Sequence, residues 1–203
     1  MIYEEKALIK RKLSNLIEKY NVTLRGKSHK DVSEETIRTW INEFLLIFGW
    51  DVQDTAQVLQ ERVLNNQQVK KLREISSTHK KPDYTLMNGT NIKSFLDAKS
   101  LDVNIFTSKG TAFQIRSYGW SAQCPCAFVS NFEQLVIYDT RFVPSPEQSA
   151  DMGTKQYFID EYVDNFDVLF DHLWHDNICS NHLEQLYKTK VIEGNNQLDS
   201  HFM

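Results

Sequence analysis

Lys81-Pro82-Asp83-Tyr84-Thr85-Leu86, a turn through Asn88-Gly89, and Ser94-Phe95-Leu96-Asp97-Ala98-Lys99 make up the stretch from which the rest of the chain is read. Residues 83–86 and 94–99 read as two short strands, and Met87–Lys93 as the turn between them. Residues two apart on a strand share a face, so Asp97 and Lys99 project together, flanked by apolar Phe95, Leu96 and Ala98. A hairpin brings Asp83 beside them from the neighbouring strand.

Two carboxylates converging at one point make a hard-oxygen site suited to Mg²⁺, which binds through one or two carboxylates and keeps several waters. A lysine beside such a site orients or deprotonates an attacking water. The metal stabilises charge on a phosphoryl oxygen and on the leaving group. The chemistry implied is phosphodiester hydrolysis.

Upstream, residues 4–20 place Leu8, Leu13, Leu16 and Ile17 near helical spacing, and 21–32 read as a polar, basic loop. Ser33 looks like an N-cap, with Glu34 and Glu35 in the first turn, where the helix dipole favours carboxylates. That helix runs through Trp40 and Phe44 and ends at Gly49. Residues 55–75 read as a further helix. Downstream, a helix over 111–123 precedes strands at 126–130 and 135–138, and helices follow at 162–174 and 182–187. The order α, α, β, β, α, β, β, α, α predicts an α/β fold, a mixed central sheet flanked by helices with one helix crossing over between strand pairs.

The chain has 203 residues, 41% hydrophobic and 25% charged, as expected of a globular domain with a buried core. It has no apolar run of the roughly 18–20 residues that a membrane span needs and no signal-peptide pattern at its start. Three cysteines without paired spacing make no disulfide framework, which points to a reducing cytoplasm. The net charge of −4 speaks against a general nucleic-acid binder, yet residues 1–100 carry 17 Lys+Arg against 13 Asp+Glu, and residues 101–203 carry 6 against 14. Such asymmetry is compatible with a polyanion meeting one side of the molecule.

The Pro82-Asp83 … Asp97-Ala98-Lys99 pattern resembles the PD-(D/E)xK nuclease superfamily. Further pieces resemble the N-terminal endonuclease domain of type IIG restriction-modification enzymes and the related nuclease domain of the type I restriction R-subunit. They are Ser33-Glu34-Glu35-Thr36 with Phe48-Gly49-Trp50-Asp51-Val52, and Gln114-Ile115-Arg116-Ser117-Tyr118 as a Q-x₃-Y motif. The pair Phe128–Glu133 and Ile137-Tyr138-Asp139 and the tail Asn196–Phe202 complete the match. The resemblance implies a restriction-endonuclease-like core over residues 1–190, with 191–203 starting a connector to a methyltransferase and target-recognition region. It implies that Asp83, Asp97 and Glu34 hold Mg²⁺, with Mn²⁺ as substitute, and that Lys99 positions the water. Glu35 and Glu43 are rivals to Glu34. Gln114 and Tyr118, four apart on one helix face, line the site; Arg116 points elsewhere on that helix, where a solvated arginine is the plainer reading and a phosphate contact the alternative. The implied partner is double-stranded DNA in a bacterial cytoplasm, with two copies meeting transiently for double-strand cleavage. Many relatives have Glu where this chain has Asp97, and the superfamily allows either.

Other features have plainer readings. Trp40, Phe44, Phe48 and Trp50 sit at core-packing spacing, and Trp120 is similar. Cys124 and Cys126 lack the partners for a zinc site and read as buried thiols. His172, His175 and His182 read as a wet helix face, and the acidic residues between Asp160 and Asp171 as a solvated edge, with a contact to a further domain as the runner-up. Two competing functions remain. One is a nuclease fold kept only for binding DNA or a partner, which has no need of the intact triad. The other is a stand-alone repair or structure-specific nuclease, against which the connector-like tail speaks.

Overall fold

A computed structural model describes residues 2–24, 26–61, 67, 70 and 81–188. Six strands form one sheet in sequential order: β1 (Val58–Gln60), β2 (Tyr84–Asn88), β3 (Asn91–Ala98), β4 (Cys126–Ser130), β5 (Gln134–Asp139) and β6 (Thr154–Phe158). Every neighbouring pair is antiparallel except β3–β4, which is parallel. The helices are α1 (Ile2–Leu24), α2 (Glu34–Ile47), α3 (Lys109–Ser121), α4 (Phe166–Leu173) and α5 (His175–Cys179), with a further helical stretch over 182–188. A parallel pair needs a crossover, and α3 supplies it. The mixed sheet flanked by helices is the expected α/β architecture.

Alternation along the central strands divides the interior in two. Leu96, Ala98, Phe128, Leu135 and Ile137 face the core built with α1, α2 and α4. Phe95, Ala127, Val129, Val136 and Tyr138 face a smaller core closed by Ala112, Ile115 and Tyr118 of α3. Asp97, between Leu96 and Ala98, therefore points to the α3 side and is only 1% exposed.

Helix α2 starts where Ser33 accepts a hydrogen bond from the Thr36 N–H. It stops in a Schellman turn: Gly49 N–H donates to Leu46 O and Trp50 N–H to Leu45 O. Gly49 has φ +86°, and a Cβ there would crowd Trp174 and His175. The aromatic run Trp40, Phe44, Phe48 and Trp50 is buried, as its spacing predicts.

Several elements depart from the sequence reading. The first helix reaches Leu24 and buries Ile9, Leu13, Leu16, Tyr20 and Leu24, while Leu8 is 40% exposed. Residues 58–60, expected as helix, are strand β1, because their amides pair with β2. Most of 62–80 lies outside the described residues, as does the 191–203 connector. The polar strand β6 hides its role by composition and takes its place through pairing with β5. The helix expected over 162–174 begins only at Phe166. Among the described residues no helix is long and apolar enough to cross a membrane.

Candidate active site

The β2–β3 register pairs Tyr84 with Leu96, which sets Asp83 opposite Asp97. Each carboxylate completes the ladder at this end. Ala98 N–H donates to Asp83 Oδ2 at 2.8 Å, and Asp83 N–H donates to Asp97 Oδ1 at 3.3 Å. Lys99 lies just beyond β3, its own N–H donating to Ser130 O at 3.1 Å. Its Nζ donates to Asp97 Oδ2 at 2.6 Å. The three side chains thus lie together at one end of the strand pair.

Helix α3 closes the same face. Gln114 Nε2 donates to Tyr118 Oη at 3.1 Å, and the Tyr118 ring packs on Phe95 with centroids 5.9 Å apart. Burial, then the charges of Asp97 and Asp83, push the Tyr118 phenol well above its ordinary range, so it stays a neutral hydrogen-bond donor. Arg116, on the same helix, is buried. It is 3% exposed, donates to the carbonyls of Ser149 and Met152, and lies over the Tyr138 ring. This corrects both of its readings, solvated arginine and phosphate contact, since its donors are spent on holding the 141–152 loop.

The other side is built by α2. Glu34 does not stand free beside Asp97, because Arg38, one turn later, comes between. Arg38 Nη2 donates to Asp83 Oδ1 at 2.6 Å and to Glu34 Oε1 at 3.3 Å. Its Nη1 lies 3.6 Å from Glu61 Oε1. Glu34 is thus joined to Asp83 through a guanidinium. Of its rivals, Glu35 is exposed, and Glu43 is paired with Lys19 at 2.8 Å on the α1 side. Sequence reasoning missed Arg38 and Glu61. The four-residue spacing from Glu34 was the only local signal for Arg38. Glu61 follows β1, donates its N–H to Asp83 O at 3.0 Å, and adopts φ +48°, an uncommon conformation for a residue with a side chain. Nothing in its neighbours announces it.

Burial, and next the facing Asp97, raise the Asp83 carboxyl to about 6. Its hydrogen bond from Ala98 and the charges of Arg38 and Lys99 hold it down from going further. Among the described residues no three His, Cys, Asp or Glu side chains converge closely enough to hold an ion by themselves. Mg²⁺ does not require three, since two carboxylates, waters and a substrate phosphate satisfy it. The opposed pair, with the Asp83 carboxyl raised by burial and by the facing Asp97, fits such an ion. The cysteines read as buried thiols form no disulfide among the described residues; Cys124 and Cys126 are buried, and burial pushes the Cys124 thiol up to about 12.

The chain is 32% identical over 178 residues to the "Type II restriction enzyme and methyltransferase RM.Eco57I" of Escherichia coli. This chain is similar to a type II restriction enzyme. The match takes in 86% of the chain but 18% of that relative, so the chain spans less than a fifth of the curated protein it resembles. No protein-family model and no solved structure matches.

Proposed function

We propose that this chain is the DNA-cleaving part of a type II restriction-modification enzyme of the IIG kind, a PD-(D/E)xK endonuclease domain that hydrolyses phosphodiesters with Mg²⁺, or with Mn²⁺ in its place. The observation that carries the reading is the opposition of Asp83 and Asp97 on adjacent strands, with Lys99 tethered to Asp97 at the same strand end. The similarity to a restriction enzyme and methyltransferase supports the same reading.

In this account Asp83 and Asp97 would hold the ion, with Glu34, paired to Arg38, as the further candidate ligand. The ion supplies charge stabilisation at the phosphoryl group and leaving oxygen. Lys99 holds the attacking water from its anchorage on Asp97. Tyr118, accepting from Gln114, keeps its own hydroxyl hydrogen for a phosphate oxygen or water, and with Phe95 walls off the α3 side. Double-stranded DNA is the substrate. The methyltransferase and target-recognition parts belong to the rest of the full-length protein in a bacterial cytoplasm, and two copies meet to cut both strands.

The test is plasmid nicking with Mg²⁺ or Mn²⁺ by the parent chain, Asp97→Ala and Lys99→Ala. Metal-dependent nicking that disappears in both variants is the expected result. Cleavage retained by Asp97→Ala sinks the assignment.

A further inference from the structure

Three acidic side chains from three separate segments share one cation. Arg38 meets Asp83 at 2.6 Å, Glu34 at 3.3 Å and Glu61 at 3.6 Å, and its side chain is 20% exposed. Across the strand pair, Asp97 has a counter-ion of its own in Lys99. Arg38 is thus the positive charge that lets Asp83 stay ionised in a largely buried position. A guanidinium on a carboxylate oxygen takes up the electrostatic position that a metal ion would take on the same oxygen.

We propose that Arg38 is the resident counter-ion of Asp83, competing with the divalent ion for Asp83 Oδ1 and yielding it when the ion binds. The proposal rests on the metal-dependent reading above. Arginine keeps its charge at every accessible pH, so it yields by exchange of partners and not by losing a proton. Glu34 and Glu61 provide those partners. They already touch the guanidinium, so releasing Asp83 strands no bare cation. The arrangement keeps the acidic strand end neutralised without metal, at the expense of metal affinity. Arg38 is in this sense a positioning residue, acting on the metal through Asp83.

The experiment is calorimetric titration of Mn²⁺ into the parent chain, Arg38→Gln, Arg38→Lys, Asp83→Asn and, as a surface-charge control, Lys19→Gln, with circular dichroism to check folding. Arg38→Gln is expected to bind Mn²⁺ about tenfold tighter, the size of effect that follows from removing one close competing charge. Arg38→Lys falls between it and the parent, Lys19→Gln matches the parent, and Asp83→Asn loses binding. Should Arg38→Gln fold only marginally, heat denaturation gives a second readout: it melts below the parent in EDTA and regains the difference in Mn²⁺. Unchanged or weaker binding by both Arg38 variants, with Asp83→Asn still abolishing it, overturns the competition and leaves the metal site standing. Absence of binding in the parent and in both Arg38 variants overturns the metal reading itself.

Discussion

Asp83 and Asp97 face each other across one strand pair, yet they are kept in different ways. Asp97 is sealed against α3, 1% exposed, and its cation sits two residues along, just past the end of the same strand. Asp83 is more open, at 14%, and its cation comes from a helix 45 residues earlier. One carboxylate carries its counter-charge within its own motif. The other borrows it from tertiary structure, and the borrowed charge is the one that can be exchanged. Chemically equal residues thus divide the work: Asp97 is the fixed member of the pair and Asp83 the adjustable one.

The largest effect should come from breaking the fixed member. Asp97→Ala is expected to lower plasmid nicking by on the order of 10³-fold, the several kcal/mol a correctly held ion is worth in the transition state, with the circular dichroism spectrum unchanged. The adjustable member should show in the pH dependence of stability in EDTA. The folded chain holds the Asp83 proton up to about pH 6, against 3.8 ordinarily, so it binds protons more tightly than the unfolded chain. Stability therefore falls as pH rises from about 4 to about 6, by about 2–3 kcal/mol. Asp83→Asn should flatten that part of a denaturation series, and an unchanged slope would remove the distinction between the two acids.

Each side can also be disturbed alone. A Cβ at Gly119 would overlap the side chain of Thr140, just past the end of β5, so Gly119→Ala must push α3 away from it. A loss of about 1–3 kcal/mol is expected, read as a lower melting temperature. Ser33→Ala removes the cap of the helix carrying Glu34 and Arg38. It should cost about 1 kcal/mol and loosen the Asp83 side, leaving the Lys99–Asp97 pair as it was.

The same division explains what could be read from the chain alone. Strands β2 to β5 and the crossover helix were legible because alternation and turn chemistry are local, and Asp97-Ala98-Lys99 displays its pairing within three residues. Arg38 was not legible, since its distance from Asp83 closes only when α2 packs beside β2. The Tyr84 hydroxyl marks that packing, donating to Asn42 Oδ1 at 2.9 Å. Strand β1 has three residues, too few for any period, and Glu61 owes its place to that strand. Arg116 looked solvated because nothing nearby in sequence shows that the 141–152 loop folds back over α3 to take its donors.

The one parallel pairing among the described strands has a kinetic consequence. The β2–β3 hairpin closes over a short turn, whereas joining β3 to β4 must wait for the whole crossover through α3. In pulse-labelled hydrogen exchange during refolding, the Ala98 amide, held by Asp83, should be protected before the Lys99 amide, held by Ser130. Simultaneous protection would contradict this order. The acids meet early, while water still surrounds them, and the lysine is fixed beside them only as the two halves of the sheet join.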